Sequence, residues 1–333
     1  MSANEIILGL LEAAKLSTIE GKYKGLAPGT DGRIRTVLSP SGTETGRLSS
    51  STTFLEPSTN LQNQPKKTAK LNPLYDTRAV LIADEGRILL EADYSSAERR
   101  LLAYLANERS AIRMIEEGVN AYKWFCGQLY EIEDWKNIDK HKDLSIYHVG
   151  KTCILALDRG VGWKKLQMTI NGDVELTGAT ITAKKAKAAC ELFHQNFPGY
   201  RRYFKEVESE IRDRGFLVNC CGRRRDFMGR RGNQAAWDSL VREGVSFLAQ
   251  AVGDIINDRI CRIYRKYDPE QLHLLLQIHD AILFDSSREN AAKACRLVKS
   301  EMERPIQVGK HSIVIPAEFS KGQRWSEMVG IEV

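Results

Sequence analysis

Two aspartates, Asp93 and Asp280, stand where a carboxylate is able to do chemistry. Asp93 closes an apolar run over 87–94 that is typical of a strand, and Asp280 lies at the hinge between two further apolar runs, 274–277 and 281–284. A carboxylate at the end of a buried strand is costly unless it is paired, hydrogen-bonded or bound to a metal. If folding brings both together, they suit a two-metal phosphoryl-transfer site, and hard oxygen ligands favour Mg²⁺. For either aspartate alone, a helix N-cap or a turn is the commoner explanation.

The elements around these aspartates predict an α+β fold. Helical patterns dominate from 97 to about 214, and strands such as 216–221 and 313–319 are predicted outside that region. Residues 5–17 predict a short amphipathic helix, and 235–267 predict one long helix or two abutting ones. Strands that bracket a helical middle favour a mixed or antiparallel sheet with a long helical insertion.

The composition is that of an ordinary folded protein. The 333 residues suffice for two or three modules, and 42% hydrophobic with 28% charged residues argue against a disordered or fibrous chain. No apolar run reaches membrane-spanning length and no signal layout opens the chain, so we expect a soluble, cytosolic protein with no membrane partner. The seven cysteines lack zinc spacing and are predicted to be reduced thiols.

Basic residues are concentrated in two stretches, although the net charge is only +6. Residues 222–232 hold five arginines among glycines, and Lys66, Lys67 and Lys70 form a smaller cluster. Such concentrations suit the phosphate backbone of a nucleic acid. For a lone run of this kind, a solvated loop is the commoner explanation.

Six motifs follow one another in a defined order. They are TGRLSS with NLQNQP at 45–65, DYSSAERRLLA from Asp93, KTCI from Lys151, GRRR with a later R…Q…DII at 222–256, QIHD ending at Asp280, and a tail PAE…KG…W. In this order they resemble the polymerase core of the family A DNA polymerases, the group of bacterial DNA polymerase I and many phage replicative polymerases. Asp93 begins the counterpart of motif A, Lys151 that of motif B, and Asp280 ends that of motif C. The resemblance is collinear over roughly residues 20–330, and it implies the cytoplasm of a bacterium or of a phage-infected host cell.

The resemblance implies an architecture and an activity. It implies a right-hand palm with an antiparallel sheet and a large helical fingers insertion, the thumb being vestigial or absent. The expected segments are a residual thumb-end helix over 1–22, palm over 23–106, fingers over 107–215 and palm again over 216–333. The implied activity is that of a DNA-directed DNA polymerase, which adds dNMP from dNTP to a primer 3′-OH on a DNA primer–template.

The resemblance also implies a role for each site residue. Asp93 and Asp280 hold two Mg²⁺ ions with the backbone carbonyl of Tyr94, and Lys151 contacts the triphosphate. Glu98 excludes the ribose 2′-OH, although an acidic residue also suits a helix N-terminus. The remaining nucleotide-binding positions are His148, Leu155 and Arg159. DNA contacts are expected from Arg47, Arg223, Arg224, Arg242, Gln250 and His279.

The chain departs from the family pattern in motifs B and C. The aromatic residue usual four positions after the motif B lysine is Leu155, and the tyrosine usual eight positions after it is Arg159. Tyr147 replaces the phosphate-binding arginine, so nucleotide binding should be weaker unless His148 or Arg159 partly substitutes. Ala281 stands where motif C commonly has glutamate, a peripheral loss that leaves the two-aspartate core intact.

The region before residue 23 and the altered motif B leave alternatives open. Because only 1–22 stand where a thumb would end, we expect no intrinsic proofreading and a separate chain that supplies the thumb and a 3′–5′ exonuclease. One alternative is a DNA-binding remnant without activity, and another is a single-subunit RNA polymerase, against which Glu98 argues. A nuclease built on the same carboxylates is a third.

Overall fold

The computed structural model describes residues 13–14, 16–17, 20–21, 23–52, 58–64, 76–229, 232–268 and 270–333. The strands are β1 (Val37–Ser39), β2 (Ser49–Ser51), β3 (Arg87–Tyr94), β4 (Phe216–Val218), β5 (Arg224–Asp226), β6 (His273–Ile278), β7 (Ala281–Ser287), β8 (Ile306–Val308), β9 (His311–Ile313), β10 (Ala317–Gly322) and β11 (Val329–Ile331). The α-helices after residue 95 are α1 (Ala97–Leu105), α2 (Arg109–Glu116), α3 (Ala121–Tyr130), α4 (Leu144–Leu157), α5 (Trp163–Gly172), α6 (Val174–Thr177), α7 (Ala183–Asn196), α8 (Pro198–Arg214), α9 (Gln234–Ala249), α10 (Val252–Lys266) and α11 (Ala291–Met302).

The chain divides into two compact units. The first comprises residues within 1–95, 253–304 and 315–333, and the second comprises 96–252 and 305–314. Among the described segments, none of the helices combines the length and the apolarity needed to span a bilayer.

An antiparallel sheet organises the first unit. Its strand order is β11-β10-β3-β7-β6, so β3 is the central strand, with β10 on one side and β7 on the other. A central strand is covered on both faces and therefore carries a nearly continuous apolar run. Leu89, Leu90 and Ala92 of β3 are accordingly buried. Helix α11 packs on β3, β7 and β10 through a buried stripe that includes Val298 and Met302.

Helices build the second unit. Its core contains large buried side chains from several helices, including Phe125, Ile154, Leu166, Phe193 and Phe247. The two-stranded β4–β5 hairpin belongs to this unit, and Leu217 of β4 is fully buried in the same core.

The structure confirms the predicted α+β class and the antiparallel sheet. The strand over 87–94 is present as β3, and the predicted hairpin is present as β6 and β7. The helix over 235–267 is two helices, since α9 ends at Ala249 and α10 begins at Val252. The closing strand predicted over 313–319 is wrong as one element, because β9 ends before Pro316, which has no backbone N–H to donate, and β10 begins after it. Most of the helix predicted over 5–17 lies outside the described residues.

The boundaries of the two compact units differ from the boundaries predicted for the palm and fingers segments. The second unit begins at residue 96 and runs to 252, whereas the sequence predicts boundaries after 106 and after 215. Helix α9 accounts for part of the difference, because it packs on α1 and α8 within the helical unit. The assignment of the segments to palm and fingers stays a prediction.

Candidate active site

Asp93 and Asp280 lie at the same end of two neighbouring strands. Asp93 of β3 is paired in register with Ala281, the first residue of β7, and Asp280 immediately precedes that residue. The backbone N–H of Tyr94 donates a hydrogen bond to the carbonyl of Asp280 at 3.2 Å. Since directly opposed residues of antiparallel strands have Cα atoms about 4.5–5.5 Å apart, the backbones of the two aspartates are neighbours in the fold. The Asp93 side chain is exposed and that of Asp280 is half-buried.

The turn that carries Asp280 has an unusual backbone conformation. His279 and Asp280 are the two central residues between β6 and β7, and His279 has a φ of 55°. A positive φ at the first central position is typical of a tight hairpin turn in which glycine is the usual residue. The His279 side chain is exposed.

A pair of glutamines supports this turn. Gln277 is buried, and its side-chain amide donates to the carbonyl of His279. Gln62 donates to both the carbonyl and the Oε1 of Gln277, at 3.0 and 2.8 Å. The NLQN segment is therefore tied to the hairpin that carries Asp280. Both glutamines belong to the sequence motifs, but their positions in the chain do not indicate that they bind each other.

Tyr94 anchors the end of β3. Its hydroxyl donates to the carbonyl of Met302 at 2.7 Å, at the C-terminal end of α11. Burial of the ring raises the pKa of Tyr94 to about 12, so the phenol stays a neutral donor. The next residue, Ser95, donates its backbone N–H to the carbonyl of Pro316 at 2.8 Å. These two contacts restrain the backbone immediately after Asp93.

A further carboxylate stands beside Asp93 on β10. Glu318 is directly opposite Asp93 in the β10–β3 register, so both side chains point to the same face of the sheet, and both are exposed. Among the described residues, no group of three or more His, Cys, Asp or Glu side chains is arranged to hold a metal ion. Mg²⁺ usually needs only one or two carboxylates, because water and substrate phosphates complete its shell. The Asp93 and Asp280 donor set is compatible with that mode of binding.

Arg47 is positioned by close packing of its loop against the start of α10. A Cβ on Gly253 would lie 2.9 Å from the backbone nitrogen of Arg47, so only glycine allows this approach. Asn257 of the same helix donates to the carbonyl of Gly46 at 2.7 Å. Thr43 closes the loop with a hydrogen bond from its hydroxyl to the carbonyl of Arg47 at 2.7 Å.

In the second unit, the predicted nucleotide-binding residues of motif B lie along α4 and just after it. His148, Lys151, Leu155 and Arg159 are three or four residues apart, the spacing that places side chains on one helix face. None of the four is buried, whereas Cys153 on another face is fully buried in the core. His148 Nε2 lies 3.3 Å from Thr152 Oγ1 and 3.4 Å from a carboxylate oxygen of Asp173.

Lys151 projects from a helix that packs unusually closely on its neighbour. Lys151 is exposed, and its side-chain ammonium forms no hydrogen bond or ion pair with another residue in the described part of the chain. The preceding Gly150 is buried against α3, where an added Cβ would lie 2.2 Å from Cys126 Sγ and 2.4 Å from the carbonyl of Tyr122. Helix α4 therefore fits against α3 only with glycine at 150, which leaves Lys151 on the open side.

Glu98 forms an ion pair with Arg159. Ser96 precedes α1 in the left-handed conformation, with φ 53° and ψ 39°, and Glu98 follows in the first turn of that helix. The guanidinium of Arg159 donates to the Glu98 carboxylate and, through its other terminal nitrogen, to the carbonyl of Leu155 at 2.8 Å. The sequence assigned Arg159 to nucleotide binding, whereas its observed partner is Glu98. The opposite charges of Glu98 and Arg159 make an ion pair possible, but the two residues are too far apart in the chain for their spacing to predict it.

Asp158 is the most deeply buried acid of this region, and sequence reasoning missed it. Its side chain is 1% exposed, and burial raises its pKa to about 7 against the opposing charges of Arg159 and Arg99. Arg159 Nη1 lies 4.0 Å from its carboxylate.

The predicted DNA contacts of the second unit lie on β5, its turn and α9. Arg224 is exposed, pairs with Asp226 at 2.8 Å and lies 3.9 Å from the centre of the Phe216 ring. Arg223 stands in the β4–β5 turn, where its N–H donates to Asn219 Oδ1 at 3.0 Å. Arg230 and Arg231, two further arginines of the basic stretch, lie outside the described residues.

Arg242 and Gln250 mark the middle and the end of α9. Arg242 lines a cavity of about 350 Å³ together with Gly160, Phe204, Arg201 and Lys205. Gln250 immediately follows the last residue of the helix, and its N–H still donates to the carbonyl of Ser246 at 2.9 Å. The structure thus groups Asp93, Tyr94, Asp280, His279 and Arg47 in the first unit. The remaining predicted site residues lie in the second.

Comparisons with known proteins identify relatives of this chain. The chain is 28% identical over 331 residues to the thermostable DNA polymerase I of Thermus filiformis, an alignment that covers 97% of this chain and 36% of that protein. It is 25% identical to DNA polymerase I of Geobacillus stearothermophilus, with 96% of this chain and 34% of that protein covered. The chain therefore spans about a third of the length of these curated relatives.

A solved structure and a family model extend the comparison. The POL domain of Pol1 from M. smegmatis, solved in complex with DNA primer-template and dNTP, matches with a TM-score of 0.77 and 23% identity over 95% of this chain and 53% of that one. At that identity the likeness shows a shared fold. The model of DNA polymerase family A matches residues 2–327. A match over nearly the whole chain, together with motifs A and C at the ends of adjacent strands, makes this protein a member of DNA polymerase family A.

Proposed function

We propose that this chain is the core of a template-directed DNA polymerase, which adds a deoxynucleotide from dNTP to a primer 3′-OH and releases pyrophosphate. The observation that supports it most is the adjacency of Asp93 and Asp280, through the Asp93–Ala281 register and the Tyr94–Asp280 hydrogen bond. The solved M. smegmatis relative was obtained with primer–template and dNTP, which are the ligands proposed here.

Asp93 and Asp280 would hold two Mg²⁺ ions, with the backbone carbonyl of Tyr94 as a further ligand. When bound, such ions activate the attacking oxygen and neutralise charge on the phosphates. The contribution of the chain is to hold these ligands in place. Tyr94 fixes the end of β3 through its bond to Met302, and Gln277 supports the turn before β7. Both supports are buried, so little side-chain entropy remains to be lost when ligands bind.

The helical unit would bind the incoming nucleotide. Lys151 is an exposed ammonium at the centre of α4, and such a compact charge suits a triphosphate. His148 and Leu155 flank it on the same helix face. Glu98 would disfavour a ribose 2′-OH if its carboxylate, which is paired with Arg159, lies where the extra hydroxyl would bind.

Several of the predicted site residues would contact DNA. A donor in the minor groove can test the purine N3 and pyrimidine O2 acceptors that every correct base pair presents, so pairing is checked without reading sequence. We assign this role to Arg47, Arg242 and Gln250. Contacts to the phosphate backbone or the primer terminus are assigned to Arg223, Arg224 and His279.

A primer-extension assay with Mg²⁺ tests the proposal. The parent chain should extend a primer with dNTPs, and Asp93→Asn and Asp280→Asn should each lower the rate at least about 100-fold, the scale of losing one electrostatic contact to a transition state. Asp268→Asn is the matched control, since this exposed carboxylate accepts the Glu270 N–H in a turn. It should leave extension unchanged.

Each alternative gives a different result in the same assay. Salt-dependent binding of the template without extension would indicate an inactive remnant. Extension with rNTPs only would indicate an RNA polymerase, and shortening of the primer would indicate a nuclease. Extension that survives either aspartate substitution would contradict the assignment of the metal ligands.

A further inference from the structure

The ion pair between Glu98 and Arg159 connects two motifs within the helical unit. Glu98 stands in the first turn of α1, and Arg159 follows the end of α4. Their side chains are only 18% and 27% exposed, so the contact is partly shielded from water. Charge-assisted hydrogen bonds of this kind are shorter and stronger than neutral ones, and partial burial strengthens them further.

Arg159 is itself held in position. Its second terminal nitrogen donates to the carbonyl of Leu155 at 2.8 Å, so the guanidinium bridges the last turn of α4 and the Glu98 carboxylate. The next residue, Gly160, has a φ of 72° and packs on Phe204, where a Cβ would lie 2.6 Å from the ring. The planar guanidinium fork keeps a fixed geometry when it bonds to a carboxylate. Arg159 therefore restrains the orientation of Glu98 and does not merely balance its charge.

We propose that Arg159 is a positioning residue for sugar selection, an inference that rests on the proposed polymerase function. A glutamate excludes a 2′-hydroxyl only if it cannot rotate away, since an unrestrained side chain has several rotamers of similar energy. The Arg159 guanidinium removes this freedom. It also offsets the negative charge of Glu98, which would otherwise repel the triphosphate of any nucleotide bound nearby.

The test measures kcat/KM for one dNTP and for its rNTP on the full chain. The parent should prefer the dNTP, and Arg159→Ala should lower the dNTP-to-rNTP preference about tenfold or more, as expected for loss of a charge-assisted hydrogen bond. Arg159→Lys keeps the charge and should restore part of the preference. Arg214→Ala, which removes an exposed pair with Glu210 on α8, is the matched control and should leave the preference unchanged.

A double-mutant cycle separates positioning from other roles. Glu98→Ala alone should abolish most of the preference, and adding Arg159→Ala to it should change the preference no further. Equal losses from Arg159→Ala with and without Glu98 would overturn the proposal, as would an unchanged preference in Arg159→Ala with a parental melting temperature. If Arg159→Ala does not fold, Arg159→Gln replaces it with the same criteria.

The failure of this inference is distinct from the failure of the proposed function. If the parent extends primers but Arg159 variants keep its sugar preference, only the positioning role is wrong. If the parent extends primers without any preference for dNTPs, the role of Glu98 and that of Arg159 are both wrong. If the parent incorporates no nucleotide, the polymerase function and the inference that rests on it are both overturned.

Discussion

Replacing Asp158 by asparagine should make the protein more stable at alkaline pH while changing its stability near pH 4 little. Asp158 follows α4, and its side chain is 1% exposed. Its Oδ1 has no hydrogen-bond partner among the described residues. Burial raises the pKa of Asp158 to about 7, although the nearby guanidinium groups of Arg159 and Arg99 favour the charged form. At pH 8 the folded protein therefore carries a buried charge that asparagine would not have.

The size of the effect follows from proton linkage. The unfolded chain releases the Asp158 proton near pH 3.8, whereas the folded chain keeps it up to about pH 7. Between these values the folded state binds one more proton, so the free energy of unfolding falls by about 1.4 kcal/mol per pH unit. The stabilising contribution of the retained proton is complete below pH 3.8 and is lost as the pH rises through 7. From pH 5 to pH 8, the parent should lose about 3 kcal/mol relative to Asp158→Asn.

Urea unfolding at pH 5 and pH 8, followed by tryptophan fluorescence, measures this difference. Any constant packing cost of the asparagine cancels, because only the change between the two pH values is compared. Asp213→Asn, which replaces an exposed carboxylate on α8, is the control. If the parent and Asp158→Asn lose the same unfolding free energy between pH 5 and pH 8, the argument from charge burial is refuted.

Two further substitutions test how the site is supported. Gly150→Ala should lower the free energy of unfolding by about 1–3 kcal/mol, because its Cβ would lie 2.2 Å from Cys126 Sγ. Gly172→Ala is the control and should not destabilise the protein, because its Cβ would have no heavy atom within 4 Å. Chemical denaturation compares the two variants, and equal stabilities would contradict the packing argument. Gln62→Ala should cost about 1–3 kcal/mol, because buried Gln277 would lose a donor to its carbonyl and side chain. A melting curve of Gln62→Ala that coincides with that of the parent would show that water replaces this donor without cost.

Several features of the fold could be predicted from the sequence because they depend on local patterns. The apolar run over 87–94 is β3 without a change of boundary, since a central strand needs apolar residues on both faces. Thr182 precedes α7, where its hydroxyl accepts the Lys185 N–H at 3.2 Å as an N-cap, a position that favours threonine. The sequence does not decide whether residues 235–267 form one helix or two, because no proline or turn motif marks residues 250 and 251, which separate α9 from α10.

The sequence by itself determined the family, the central strand, the turn that carries Asp280 and the identities of the acidic and basic residues of the candidate site. Only the tertiary structure decided that β3 pairs with β7 so that Asp93 lies opposite Ala281, that Arg159 binds Glu98, and that Asp158 is buried. The physical reason is that periodicity and turn preferences act over a few residues. Strand register, charge pairing and burial depend on which distant segments pack together, and those contacts are selected by the free energy of the whole fold.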